Sequence, residues 1–110
     1  MEEKDEALTR EELVQAIAHK IKICRKYALK AVKKAEEGDT ADAFSLYNIA
    51  RIAHYNALQE QSQLIRITNG KLNKKEAELL MEVVTLYKEL MKARLAIKKA
   101  QHSGYACLDE

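Results

Sequence analysis

Residues 28–50 read ALKAVKKAEEGDTADAFSLYNIA. Ala28, Ala31 and Ala35 stand at steps of three and four up to Gly38. Ala43, Tyr47 and Ala50 resume the same stepping beyond it. Residues so spaced share one face of an α-helix. Small side chains on both sides of the turn let two helix axes approach closely. Glycine takes the left-handed conformation that ends a helix without steric cost. The stretch therefore reads as a helical hairpin that reverses at Gly38.

The same punctuation extends over the whole chain. The other glycines are Gly70 and Gly104, and proline is absent. These stops predict three long helices at about 10–37, 41–68 and 74–101 in one domain, with flexible tails at 1–8 and 103–110. The fold class is all-α: an up-down-up antiparallel bundle. Each helix is about 42 Å long at ~1.5 Å per residue. The short links force antiparallel neighbours. Alternating steps of three and four favour coiled-coil-like packing with crossing angles near about +20°.

The helix starts are written in the same way. Thr9-Arg10-Glu11-Glu12 is a capping box, in which the hydroxyl accepts an orphan backbone N–H and the glutamate reaches back. Asp39 or Thr40 can cap the second helix, and Asn73-Lys74-Lys75-Glu76 is a second box-like start. The expected core seams are Leu13, Ile17, Ile21, Cys24, Ala28, Ala31 and Ala35 on the first helix. On the second they are Ala43, Tyr47, Ala50, His54, Ala57, Gln61 and Leu64. On the third they are Leu80, Val83, Val84, Tyr87, Leu90, Met91 and Ile97.

Composition excludes several classes. With 47% hydrophobic and 33% charged residues, a chain of 110 residues is neither disordered nor membrane-embedded. No apolar run approaches the roughly 18 residues that span a bilayer. The start Met1-Glu2-Glu3-Lys4-Asp5-Glu6 lacks the apolar centre of a secretory signal, so the cytoplasm is the expected compartment. Cys24 and Cys107 make neither a disulfide framework nor a zinc site. His19, His54 and His102 have no histidine or glutamate three or four residues away, the spacing of a helical metal site. No catalytic, metal or cofactor constellation stands out, and the expectation is a protein that is not an enzyme. The net charge of +2 does not by itself argue for nucleic acid.

Charge is unevenly shared, and this points to partners. Between Ala41 and Thr68 the charged residues are Asp42, Arg51, Glu60 and Arg66, and the other polar residues are neutral. Solvated helix faces ordinarily carry Lys and Glu. Helix two is therefore expected to face a partner through Tyr47, Asn48, Arg51, His54 and Gln61. The partner would be a second copy, giving a dimer or trimer, or another helix. Within the seam, His54 is expected either to bond across such an interface or to be satisfied by a neighbouring carbonyl. Lys22, Lys26, Lys30 and Lys33 form a stripe on helix one. The stripe reads as a solvated face paired with Glu78, Glu82 and Glu89, or as an anion or nucleic-acid site. Tyr27 is its only aromatic, which disfavours single-stranded nucleic acid.

The small residues about Gly38, followed by Ala43, Tyr47 and Ala50, resemble the hairpin of tetratricopeptide and microtubule-interacting-and-transport domains. No second copy follows at about 34 residues, which excludes a repeat array. A longer resemblance is to the lactose/cellobiose-type IIA proteins of the bacterial sugar phosphotransferase system. It runs through Glu11-Glu12-Leu13, Arg25, Ala28, Ala31, the Glu36–Asp39 turn, Ala43, the glutamine-rich end of helix two and Asn69-Gly70-Lys71. That resemblance implies three long helices assembled as a trimer, with a phosphoryl-accepting histidine and a metal-binding aspartate on helix three. Between Asn73 and Gln101 this chain has neither residue. A phosphocarrier role would then fall to His54, which has no orienting carboxylate near it in sequence. The leading expectation is a non-catalytic helical interaction or assembly module. The alternatives are a IIA-like phosphocarrier and an anion or nucleic-acid accessory acting through the basic stripe.

Overall fold

The computed structural model describes residues 8–109, with side-chain surroundings for residues 8–102. Three helices follow in order: α1 Arg10–Glu36, α2 Thr40–Thr68 and α3 Lys74–Asp109. There is no strand among the described residues. The bundle is all-α, and its principal extents are 62 × 32 × 16 Å. α1 packs most extensively on α2 and less on α3, while α2 and α3 touch each other least. The bundle is thus opened along one side, where α2 and α3 flank a groove.

The first reversal follows from the sequence. Gly38 has φ +88, and the paired bonds of a Schellman stop run from Gly38 N–H to the Ala35 carbonyl and from Asp39 N–H to the Lys34 carbonyl. Asp39 then caps α2, its side chain accepting the Asp42 N–H. Thr9 and Glu12 form the complete capping box of α1. The second stop differs in detail. The first left-handed residue is Asn69, with φ 54, and Gly70 follows it with φ 77. Gly70 N–H closes on the Ile65 carbonyl and Asn69 N–H on that of Arg66. Asparagine tolerates the left-handed region better than other side-chain-bearing residues, so it can take the position ahead of the glycine.

The third helix corrects two expectations. It does not end at Gln101 but runs on to Asp109, and Gly104 lies within it rather than stopping it. A glycine inside a helix costs about 1 kcal/mol and is not by itself a terminator. The flexible tail expected at 103–110 is therefore helical backbone as far as Asp109. Of the tail expected at 1–8, residues 1–7 lie outside the described residues, as does residue 110.

The α1 seam is buried as expected, at Leu13, Ile17, Ile21, Cys24, Ala28, Ala31 and Ala35. On α2, Ala43, Ala50, Ala57 and Leu64 are buried, joined by Ala53 and Thr68. The expected core residues Tyr47, His54 and Gln61 are half-buried instead. The Thr68 hydroxyl is satisfied by the Leu64 carbonyl at 2.8 Å. On α3 the core takes Leu80, Val83, Leu86, Leu90, Ala93 and Ile97. Val84, Tyr87 and Met91, expected in the core, face outward. α3 carries two apolar seams, and α1 and α2 cover one of them.

A clasp closes the end of the bundle where α1 and α3 begin. The Arg10 Nε and Nη2 atoms donate to the two carboxylate oxygens of Glu76, each at 2.6 Å, and Nη2 also donates to the Lys71 carbonyl. Glu76 meanwhile accepts the Asn73 N–H at 2.9 Å, and Asn73 accepts the Glu76 N–H at 2.7 Å, completing the second capping box. The Arg10 guanidinium, and after it the Asn73 N–H, lower the Glu76 carboxyl from 4.5 to about 2. The folded value lies below the unfolded one. The stabilisation is therefore fully present above pH 4.5 and is lost as pH falls through about 2. Glu76→Gln is expected to melt at a lower temperature than the parent at neutral pH, with the gap closing as pH falls across that window. Melting curves followed by circular dichroism check this, and a gap independent of pH would refute the linkage.

Candidate functional site

Phe44, Ile52, Tyr55 and Ile65 stand out from α2. On α3, Met81 is 62% exposed, Val84 53%, Tyr87 50%, Met91 50% and Leu95 59%. These five align at steps of three and four, and they project from a different side of α3 than Val83, Leu86, Leu90, Ala93 and Ile97. One helix thus serves two apolar surfaces. Isolated exposed apolar residues are ordinary, whereas this aligned series forms a continuous apolar row along one helix.

The open side of the bundle holds a groove of about 650 Å³ between α2 and α3, lined by Tyr47, His54, Tyr87, Lys88, Leu90, Met91, Lys92 and Leu95. Its walls are mainly apolar. The His54 Nε2–H donates to the Val83 carbonyl at 3.2 Å, since a carbonyl can only accept. This bond pins the ring to α3 and satisfies it within the chain. A second, smaller depression continues the groove toward the hairpin end, between Phe44 and Tyr47 on α2 and Arg94, Ile97, Lys98 and Gln101 on α3. The Phe44 and Tyr47 rings lie 6.2 Å apart there.

The five residues expected to meet a partner fall into three places. Tyr47 and His54 line the groove together. Arg51 Nε donates to the Asn48 side-chain oxygen at 3.3 Å, so these two form a polar pair of their own. Gln61 lies half-buried farther along α2, with no hydrogen-bond partner for its side-chain oxygen among the described residues. The larger surface on α3 includes Val84, Tyr87 and Met91, which periodicity alone places in the core. The signal was present: Met81, Val84, Lys88, Met91 and Leu95 follow a strict alternation of three and four.

Charge around this surface divides along α3. After Lys74 and Lys75 at the helix start, Glu78 and Glu82 flank its N-terminal half, while Lys88, Lys92, Arg94, Lys98 and Lys99, with Glu89 among them, make its C-terminal half net basic. The basic stripe of α1 lies elsewhere. Lys22, Lys26, Lys30 and Lys33 are exposed. The Lys26 and Lys30 ammonium groups stand 5.7 and 5.3 Å from the Tyr27 ring centre, within reach of its π face. Lys30, Lys33 and Lys34 share a depression with Glu37 and Asp42, and Lys34 is paired with Glu37 at 3.8 Å, so the two carboxylates offset much of the positive field an anion would need. The expected pairing of the stripe with Glu82 is made by Arg25 instead, at 3.6 Å. Lys20 reaches α2, donating to Glu60 at 2.6 Å. His19 and His102 are exposed.

Cys24 is fully enclosed, and burial, followed by the nearby charge of Glu89, pushes its thiol up to about 11. No group of three or more His, Cys, Asp or Glu side chains is placed to hold a metal ion among the described residues. No helix of the described residues is long and apolar enough to cross a membrane. Comparison with protein-family models, curated proteins and solved structures finds no match to this chain.

Proposed function

We propose that this protein is a non-catalytic helical assembly module that associates with copies of itself. Its working surface is the outer seam of α3 together with the α3-facing edge of α2. The observation that supports this reading is the row Met81, Val84, Tyr87, Met91 and Leu95, half or more exposed on a helix whose other seam already fills the core. Covering the exposed half of each such side chain contributes on the order of 1 kcal/mol. Several together, on both copies, offset the cost of association. The half-buried Tyr47 and His54 and the scarcity of charge on α2 extend the same surface.

Light scattering across a wide concentration range tests the reading. The parent chain is expected to show at least twice its mass of 12.6 kDa. The double variant Met91→Lys/Leu95→Lys should be a folded monomer, its helicity retained because neither residue enters the core. A parent chain that stays monomeric at every concentration would overturn the reading.

A further inference from the structure

Resting on that reading, we infer that the occupant of the α3 surface is α3 of a second copy, lying antiparallel in a defined register. The outer seam has the heptad form. Lys74, Met81, Lys88 and Leu95 occupy one core position, and Ala77, Val84, Met91 and Lys98 the other, all of them exposed in the single chain. A helix that carries such a seam on its free side is built to meet another of the same spacing.

Charge selects the orientation. A parallel pair would stack Lys88 on Lys88 of the second copy and set Arg94 against its Lys99. Both contacts are like-charged. An antiparallel pair brings the Glu78 half of one helix over the Lys92 half of the other. The register in which Met81 meets Met91 of the second copy places Ala77 beside Leu95, Val84 beside the stem of Lys88, and Glu78 beside Lys92, each contact occurring twice by symmetry; its like-charged contact, Lys74 beside Lys98, falls at the two ends of the overlap, where solvent screens it. Tyr87 then flanks the two-fold axis and meets its own counterpart. The neighbouring antiparallel register, with Val84 beside Leu95, would bury Met81 against Lys98 and Met91 against Lys88. It matches fewer apolar pairs. Lys88, the lysine at the centre of the seam, costs some stability and disfavours alternative alignments, while its aliphatic stem lies along the apolar surface.

Disulfide trapping tests the register. In a Cys107→Ser background, where Cys24 is enclosed, two chains are made, one with Met81→Cys and the other with Met91→Cys, and one of them carries a mass tag. Under mild oxidation neither chain alone should give a covalent dimer, whereas the mixture should give the mixed dimer as the predominant product. Val84→Cys mixed with Leu95→Cys should give only background. Charge exchange supplies a second readout. Glu78→Lys or Lys92→Glu alone should weaken dimerisation about tenfold, and the double exchange should restore it.

Self-linking of the Met81→Cys chain would mean a parallel pair and overturn the inference. Predominant Val84–Leu95 linking would mean the other register, with the same consequence. A dimer by light scattering that gives none of these links would overturn the α3 register and leave self-association standing. A monomer at every concentration would remove both.

Discussion

Replacing Leu86 by alanine is expected to lower the unfolding free energy by about 2–5 kcal/mol. Leu86 is among the largest fully buried side chains, in the same core cluster as Ile17, Ile21 and Val83. Truncation removes transfer energy and leaves a cavity that long, mutually packed helices cannot easily close. Next to it in sequence, Tyr87 is half exposed, and Met91 lies on the same outer row. Met91→Ala is expected to change monomer stability by less than about 1 kcal/mol. Urea unfolding of both variants, at a concentration where the chain is monomeric, measures the contrast. Equal effects would mean that α3 is rotated from the arrangement described, and the assembly surface would go with it.

The second large effect comes from the opposite change. Ala50→Leu is expected to cost about 1–3 kcal/mol by overpacking. Alanine and leucine are both strong helix formers, so the substitution leaves α2's own propensity almost unaltered. What it alters is the approach of α1 and α2. Ala28, Ala31, Ala35, Ala43, Ala50, Ala53 and Ala57 are all buried, and this is the most extensive helix pair of the bundle. A leucine inserted there adds three carbons at a position that is already fully buried. Denaturant midpoints will show the loss. A neutral or stabilising Ala50→Leu would contradict close contact along this seam.

The two substitutions probe parts of the chain that differ in how they could be read. The alanine seam, the cap at Thr9 and the stop at Gly38 were legible because each depends on neighbours within a few residues. The hydrophobic period, a capping side chain and a left-handed glycine are local properties. The core of α3 was legible only in part. Its two seams are both apolar and both helical in spacing, and periodicity cannot say which one the other helices cover. Leu86 and Ala93 went inward, and Val84, Tyr87 and Met91 outward, because α1 and α2 approach from one side.

The candidate site follows the same division. The scarcity of charge on α2 by itself points to Tyr47 and His54. That they share a groove with Tyr87, Met91 and Leu95 depends on the antiparallel placement of α3 beside α2. The bond from His54 to the Val83 carbonyl and the grip of Arg10 on Glu76 likewise join residues far apart in the chain. No local pattern encodes them.

The order of residues by itself determined that this chain is all-α, where its first two helices begin and end, where the third begins, and which face of α1 is buried. Those outcomes rest on backbone stereochemistry and short-range spacing. Tertiary packing alone decided which seam of α3 became core, how His54 is satisfied, and that a long apolar row was left uncovered. Three helices cannot enclose every apolar face they carry, and which faces stay open is settled by how the helices lean on one another.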